Sequence, residues 1–188
     1  MAAPLVSLNG DPGGNYELLK WEKEADIETE VTLRPVRDDD LEFLFRVYAG
    51  TREEELAPVP WSPEQKEAFL RMQFDAQHAY YQEHYAGTDF GVVLADGEPV
   101  GRLYLARWTR EHRIVDIAIL PAHRNRGLGS ELLRRILEEA DGAGKPVSIH
   151  VEMHNPVRRL YDRLGFVPVE ERGMYLLMER PVGGGEPA

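Results

Sequence analysis

The chain contains no cysteine among its 188 residues. This absence excludes disulfide bonds, a thiol nucleophile and any zinc site built on cysteine. No uncharged apolar run approaches the roughly 20 residues that a membrane-spanning helix needs. The start of the chain, from Met1 to Leu8, also lacks the basic and apolar regions of a signal peptide. We therefore expect a cytoplasmic protein that does not associate with membranes.

Positive charge is also scarce. Lysine and arginine total 22 against 33 aspartates and glutamates, so the formal net charge is −11. Nucleic-acid binding rests largely on neutralising phosphates with lysine and arginine, and this balance argues against a nucleic-acid partner. The same charge would favour the approach of a cationic amine, although an acidic surface also simply confers solubility.

The length and the apolar content indicate one folded domain. At 188 residues, 43% of them hydrophobic, the chain is long enough to bury a substantial core. Residues 1–28 show little periodicity, and Gly183-Gly184-Gly185 lies close to the end. We expect a flexible extension over residues 1–28, a single domain over residues 29–181 and a flexible tail over residues 182–188.

Helical and extended patterns interleave along the chain, which predicts an α/β fold. Ser62-Pro63-Glu64-Gln65 has the sequence of a capping box with proline at the first helical position. Asp96-Gly97 separates two apolar runs and predicts a hairpin. Gly142 and Gly144 should end an amphipathic helix that begins near Leu128. The other predicted strands cover residues 31–36, 114–120, 147–151 and 174–179.

The most informative segment runs from Ile114 to Glu131. An alternating apolar run ends at Pro121, and a turn that contains Gly127 and Gly129 then opens the amphipathic helix. Successive backbone N–H groups at a helix N-terminus, with the helix dipole behind them, favour an anion. A Cβ at either glycine would hold a phosphate away or forbid the turn. The segment therefore predicts a ligand that carries phosphate.

Two common phosphate-binding motifs do not match this turn. A P-loop requires a lysine directly after its second glycine, and Gly129 is followed by Ser130. A dinucleotide fingerprint requires a third glycine where this chain has Leu132. Nucleotide hydrolysis and dinucleotide binding are thus disfavoured.

Two motifs resemble those of the GNAT superfamily of acetyltransferases. Arg124, Gly127 and Gly129 fall on the three defined positions of its coenzyme A loop, Arg/Gln-x-x-Gly-x-Gly/Ala. The segment from Asn155 to Phe166 resembles the second hallmark, an asparagine followed by a short helix with Leu-Tyr and a final Gly-Phe. The resemblance covers about residues 30 to 180 and is strongest over residues 114–166.

This resemblance implies a mixed, mostly antiparallel central sheet with a splayed parallel strand pair and flanking helices. It also implies acetyl-CoA as the acyl donor and no metal. Pantetheine would lie along the first splayed strand, and backbone amides of the glycine turn would hold the pyrophosphate. Arg124 and Arg126 could add positive charge, and Asn155 would contact the cofactor, cap the next helix, or do both. The implied cofactor-binding residues are Ile117, Ala118, Ile119, Arg124, Asn125, Arg126, Gly127, Leu128, Gly129, Ser130 and Asn155.

Tyr161 is the implied general acid, because the tyrosine of this Leu-Tyr pair can protonate the departing thiolate. The alternative is a core aromatic residue on a helix stripe with Leu160 and Leu164. The interval from Asn155 to Tyr161 is one residue shorter than in many relatives, which shifts the alignment by one position.

The general base is less clearly indicated. The position where relatives often carry an acid is occupied by Arg113, which cannot accept a proton. On the second splayed strand, Ser148, His150 and Glu152 share one side. His150 is the first candidate base, with Glu152 orienting it, and a purely structural histidine is the alternative. Asp116 on the first splayed strand is the second candidate.

The predicted function is transfer of an acetyl group from acetyl-CoA to a primary amine, directly within a ternary complex. The acceptor would be a small-molecule amine or a protein N-terminus, and a homodimer is possible because dimers are common among relatives. In this family the first two helices and their linker cover the acceptor cleft, which suggests Tyr48, Arg52 and Trp61 as substrate contacts beside Glu152. The alternative is a non-catalytic module that binds or senses acyl-CoA.

Overall fold

The computed structural model describes residues 19–20, 29–85 and 87–184. The flexible extension predicted for residues 1–28 lies outside this part of the chain except for Leu19 and Lys20. The end of the predicted tail, residues 185–188, lies outside it as well.

Eight strands and four α-helices make up the described part of the chain. The strands are β1 (Leu19–Lys20), β2 (Val31–Pro35), β3 (Thr88–Ala95), β4 (Glu98–Arg107), β5 (His112–Ile119), β6 (Val147–Glu152), β7 (Val167–Arg172) and β8 (Tyr175–Arg180). The helices are α1 (Leu41–Leu56), α2 (Pro63–His84), α3 (Leu128–Gly142) and α4 (Arg158–Arg163).

The chain divides into two compact units, and β4 and β5 contribute to both. The first unit holds the described residues up to Tyr104 together with Asp116–Leu128, and the second holds Leu105–Val115 together with the described residues from Gly129 onward. Strand neighbours follow the order β1-β2-β3-β4-β5 in the first unit and β4-β5-β6-β8-β7 in the second.

The sheet is mixed and mostly antiparallel, as predicted. Its parallel pair is β5 with β6, and the pairing covers only the three residues at the start of each strand, from His112 with Val147 to Ile114 with Ile149. On its other side β6 pairs antiparallel with β8 along its whole length. The predicted fold class, with a splayed parallel pair and flanking helices, is confirmed.

Helices α1 and α2 supply the core of the first unit. The predicted capping box is present: the Ser62 hydroxyl accepts from the Gln65 N–H, and the Gln65 side chain accepts from the Ser62 N–H. At the start of α1, the Asp40 carboxylate accepts two hydrogen bonds from the Arg34 guanidinium, of 2.6 and 2.7 Å, and a third from the Arg37 N–H. The core cluster is formed by Phe43, Leu44, Phe45, Val47, Tyr48, Leu70, Phe74, Val92 and Ala118.

The core of the second unit contains the apolar face of α3 and one side of β6. Val147, Ile149 and Val151 are all buried, as their alternation predicts. On the neighbouring strand the buried His112 ring lies 3.2 Å from Glu139 of α3. The buried residues of α3 in this unit are Glu131, Leu132, Leu133, Ile136, Leu137 and Ala140.

The turn chemistry of the central hairpin is as predicted, but two strands, β1 and β7, were not predicted. Asp96 and Gly97 link β3 to β4 with φ of 50° and 84°, the left-handed pair that Asp-Gly favours. Strand β7 was missed because every residue in it is exposed and it contains Pro168 and the charged run from Glu170 to Arg172. Such a sequence is typical of an edge strand, where a proline needs no partner for its nitrogen.

Candidate active site

The glycine turn after β5 has the backbone geometry of an anion site. Asn125 and Gly127 both adopt the left-handed conformation, with φ of 59° and 80°. Left-handed residues that alternate with right-handed ones turn successive N–H groups toward one side as a concave nest, and two left-handed residues two positions apart suit this shape. Gly127 carries this φ without the steric cost that a side chain would bring.

Helix α3 adds its own free donors to this nest. It begins at Leu128 and runs for 15 residues, so its first four N–H groups have no partner within the helix. The turn residues before it are exposed, and Leu128 anchors the helix start because its side chain is 2% exposed. The partial positive charge of the helix N-terminus lies at these donors.

Gly129 keeps the space above the helix start open. A Cβ placed on Gly129 would meet no atom within 4 Å. No packing contact within the described protein therefore requires glycine here, and an approaching ligand would account for it. Gly127 and Gly129 thus serve different purposes, one in the shape of the turn and the other in the space beside it.

The Arg124 side chain binds backbone carbonyls. Its Nε donates to the carbonyl of Ile119 at 3.0 Å, and its Nη2 donates to the carbonyl of Gly50 at 2.8 Å. Arg126, two residues later, is exposed. Of the two arginines predicted to add charge to the anion site, Arg124 therefore has its guanidinium bound to carbonyls of β5 and α1.

Strand β5 changes its hydrogen-bonding side along its length. The His112 N–H donates to Pro146 beside β6, whereas the Leu120 N–H donates to Val100 of β4. In a regular strand, the N–H groups of residues an even number apart point toward the same neighbouring strand. The N–H groups of His112 and Leu120 point toward different neighbours, so the regular alternation is interrupted between these two residues, as at a β-bulge. The Leu120 N–H and the Ala118 carbonyl both face β4, so the backbone groups of Ile119 between them face away from it.

Gly101 of β4 lies against this irregular part of β5. A Cβ at Gly101 would overlap the carbonyl oxygen of Ala118 and would lie 2.7 Å from Cδ1 and 3.1 Å from Cα of Ile119. Glycine at this position thus permits the close approach of β4 to the segment that is predicted to bind pantetheine.

Asn155 precedes α4 and closes the turn before it. Its Oδ1 accepts from the Val157 N–H at 3.0 Å, and its carbonyl accepts from the Arg158 N–H at 3.1 Å. The helix itself begins at Arg158, two residues later than Pro156, because the chain first makes a turn. The N-cap position of α4 is Val157, with no side-chain cap bond, so Asn155 closes the turn before the helix instead of capping it as predicted. Its contact with a cofactor stays a prediction.

Tyr161 lies in α4 with its ring 3% exposed. The ring meets Phe166 edge-on, with centroids 5.5 Å apart, and the Tyr161 carbonyl accepts from the Phe166 N–H. Packing against the aromatic residue of the Gly-Phe pair thus fixes the ring. This burial fits a positioned acid, and it equally fits the alternative of a core aromatic residue.

His150 belongs to a row of polar side chains on β6, and the structure explains that row. Arg113 donates from Nη1 to His150 Nδ1 at 3.1 Å and from Nη2 to Glu111 at 3.2 Å. The Ser148 hydroxyl donates to the other oxygen of Glu111. Glu111 and Arg113 therefore bind Ser148 and His150. A neutral His150 in this arrangement carries its proton on Nε2, which is buried and has no hydrogen-bond partner among the described residues.

Burial lowers the pKa of His150, and the neighbouring Arg113 guanidinium lowers it further. A lowered pKa adds stability that is present above the unfolded value of about 6.5 and is lost as the pH falls through the folded value. We expect the unfolding free energy of the wild type to fall more steeply between about pH 7 and pH 5 than that of His150→Gln. The difference should stay below the one-proton limit of about 1.4 kcal/mol per pH unit.

Urea unfolding at several pH values measures this difference. His78, whose pKa is also lowered by burial, is present in both proteins and cancels in the comparison. His84→Gln is the matched control, because His84 is exposed. Parallel curves for the wild type and His150→Gln would contradict the prediction.

Asp116, the second candidate base, belongs to a buried ion pair. Its Oδ2 accepts from Arg102 at 2.7 Å and from the Tyr81 hydroxyl at 2.7 Å. Arg102 also donates to Gln77 at 3.1 Å. Burial and the Asp116 charge raise the pKa of Tyr81 well above its usual value, so its hydroxyl remains a donor. These contacts fix Asp116 in position.

Sequence reasoning missed this network, although one signal was present. Arg102 stands in the middle of an apolar strand and is 2% exposed. A charged residue in such a run requires a buried partner, because an unpaired charge in a core is costly. The sequence alone did not identify the partners of Arg102, because Tyr81 and Asp116 lie on α2 and β5.

The predicted acceptor contacts occupy different environments. Tyr48 is buried in α1, and its hydroxyl donates to Gln73 of α2 at 3.1 Å. The guanidinium carbons of Arg52 and Arg102 each lie 5.9 Å from the Tyr48 ring centroid, so Arg102 links Tyr48 to Asp116. Trp61 is 42% exposed in the connection between α1 and α2.

Among the described residues, no group of three or more histidine, aspartate or glutamate side chains could hold a metal ion. Within the same residues, none of the helices has both the length and the apolar character that crossing a bilayer demands.

Residues 47–166 match the family model described as "Acetyltransferase (GNAT) family". A Bacillus subtilis (strain 168) protein, provisionally named a [ribosomal protein bS18]-alanine N-acetyltransferase, is 25% identical over 147 residues. The alignment covers 76% of this chain and 84% of that protein. A shorter match, 39% identical over 74 residues, is to the mycothiol acetyltransferase of Tsukamurella paurometabola. It covers 39% of this chain and only 24% of that protein.

Solved structures show the same fold. The PaiA N-acetyltransferase of Thermoplasma acidophilum, crystallised with coenzyme A, superposes with a TM-score of 0.62 at 19% identity. The match covers 81% of this chain and 99% of that one.

Proposed function

We propose that this chain, which belongs to the acetyltransferase (GNAT) family, transfers an acetyl group from acetyl-CoA directly to a primary amine. The observation that carries the proposal is the turn before α3. Its two left-handed residues and the N–H groups of the helix start would form an anion site, and Gly129 leaves open space that a phosphate could fill. Residues 125–130 would hold the pyrophosphate through these backbone donors.

The neighbouring end of β5 would hold the pantetheine arm. The backbone groups of Ile117 and Ile119 would pair with the amides of this arm, as a further strand would. Ala118, between them, would contribute through its small side chain, whereas its carbonyl lies against Gly101. Asn155 would add a polar contact while it closes the turn before α4.

Tyr161 is the proposed general acid, which gives its hydroxyl proton to the departing thiolate of coenzyme A. The new amide bond forms as the thioester carbon–sulfur bond breaks, and the amine loses a proton. Proximity within the ternary complex would supply much of the rate.

The proton of the amine has two candidate acceptors, His150 and Asp116. A base role for His150 requires that Arg113 release Nδ1, and one for Asp116 requires a carboxylate beside Arg102 to take up a proton. The pH dependence of kcat/KM in His150→Gln and Asp116→Asn identifies the base. In the wild type, protonation of the general base should lower kcat/KM at acidic pH. The variant whose kcat/KM no longer shows this fall at acidic pH is the one that lacks the base.

The acceptor is proposed to be a small-molecule amine or a protein N-terminus. The two curated relatives are named for one acceptor of each kind, and the net charge of −11 favours a cationic amine. A panel should therefore contain peptides with N-terminal alanine, polyamines and amino-thiol compounds. Release of free coenzyme A reports turnover for each of them.

Binding of acetyl-CoA is the first test. A ligand at about a hundred times its dissociation constant should stabilise the fold by roughly 2.7 kcal/mol, which raises the midpoint of thermal unfolding measurably. We expect this rise with acetyl-CoA and with coenzyme A, and none with adenosine alone. No rise at saturating acetyl-CoA would refute the proposal. Binding without turnover on a broad panel would favour a module that binds or senses acyl-CoA.

A further inference from the structure

Arg124 connects the cofactor turn to helix α1. One end of its guanidinium holds the end of β5 through the Ile119 carbonyl, and the other holds the Gly50 carbonyl in the middle of α1. Gly50 and Arg124 are 74 residues apart in sequence, so this is a tertiary contact and not part of the local turn.

A second contact joins the same two elements. A Cβ on Gly50 would lie 2.8 Å from Cδ and 3.0 Å from Cγ of Pro121. The helix therefore lies directly against the turn at the residue whose carbonyl Arg124 binds. Two independent contacts, one polar and one steric, define this junction.

The junction lies between the two residues of α1 that are predicted to contact the acceptor. Tyr48 and Arg52 flank Gly50 by two positions on either side, and the Tyr48 ring is close to Arg52 and to the buried Arg102. A small movement of the helix at Gly50 would displace both side chains.

We infer that Arg124 is a positioning residue that couples the cofactor turn to α1, so that filling the turn orders the acceptor side. The inference rests on the proposed function, because it takes coenzyme A as the ligand of the turn. Anion binding restrains the backbone of residues 124–130, and Arg124 transmits that restraint to Gly50. The coupling is reciprocal, so an ordered α1 also strengthens cofactor binding.

The competing role for Arg124 is to supply positive charge to the pyrophosphate. Arg124→Lys separates the two roles, since lysine keeps the charge but cannot reproduce the two fixed donor directions of the guanidinium. Arg126→Met is the matched control: it removes an exposed charge from the same turn without touching the junction.

Hydrogen exchange on the full chain, with and without coenzyme A, tests the coupling. In the wild type we expect slower exchange both in the turn and in α1 around Gly50, by at least about fivefold. With coenzyme A at saturation for each variant, Arg124→Lys and Arg124→Met should keep the protection of the turn and lose that of α1. Arg126→Met should need more coenzyme A to reach saturation, because it removes a charge from the binding turn, but it should then keep both protections. Gly50→Ala, which pushes against Pro121, should behave like the Arg124 variants and serves if those fold poorly.

Three outcomes would overturn the inference. Protection of the turn without protection of α1 in the wild type would remove the coupling and leave the proposed function standing. Retention of α1 protection in Arg124→Lys would assign Arg124 to charge alone. Absence of any protection or thermal shift by coenzyme A would overturn the proposed function together with the inference.

Discussion

Replacing Tyr161 by phenylalanine is expected to lower kcat by about two to four orders of magnitude, the usual contribution of a general acid. Phenylalanine keeps the ring that packs edge-on against Phe166 at 5.5 Å and removes only the hydroxyl. Acetyl-CoA affinity should therefore be retained. The measurement is kcat on the best acceptor of the panel, together with calorimetric binding of acetyl-CoA.

Tyr80→Phe is the matched control for this substitution. Tyr80 lies on α2, where its ring stacks on His84 with centroids 4.1 Å apart, and no catalytic role is proposed for it. Removal of the Tyr80 hydroxyl should leave kcat unchanged. If Tyr161→Phe also retained wild-type kcat, Tyr161 would be the core aromatic residue of the alternative reading, and the thiolate would need another proton donor.

The elements that were predictable from sequence depend on local chemistry. The capping box at Ser62 and Gln65 and the hairpin at Asp96-Gly97 involve residues at most three apart, and both are present in the structure. The end of α3 at Gly142, followed by Gly144 with φ of 66°, is of the same kind. Each is fixed by backbone preferences that the amino acids carry with them.

The turn before α3 was predictable for the same reason. Its proposed function would depend on consecutive backbone N–H groups and on two glycines, Gly127 and Gly129, all within seven residues of the chain. The sequence did not separate the tasks of these glycines. Only the structure shows that Gly127 has positive φ while the space beside Gly129 is open.

Features that join distant residues were not predictable. The polar side of β6 was recognised, but its partner Glu111 lies 37 residues from Ser148. The buried pair of Arg102 and Asp116, and the contact of Arg124 with Gly50, likewise depend on how strands and helices pack. A single sequence contains each partner without indicating which one it meets.

Gly129→Ala is expected to weaken coenzyme A binding by tenfold or more while it stabilises the free protein. Alanine is favoured over glycine in a helix by up to about 1 kcal/mol, and its Cβ would meet nothing in the protein. The same Cβ would occupy space that a phosphate needs, and hydrogen bonds to a charged group are worth about 1.5–3 kcal/mol each. Gly129→Leu, with more bulk, should abolish binding. Urea unfolding and calorimetric titration with coenzyme A measure the two effects.

Gly142→Ala supplies the control from the other end of the same helix. Its Cβ also faces open space, so it should raise stability in the same way and leave coenzyme A affinity unchanged. Opposite changes in stability and affinity at Gly129, with a change in stability alone at Gly142, would locate the ligand at the start of α3. A misfolded variant cannot produce this combination, because the protein that binds less well would be the more stable one. Equal affinity in the wild type, Gly129→Ala and Gly129→Leu would place the phosphates elsewhere, and the glycine turn would then be only a helix start.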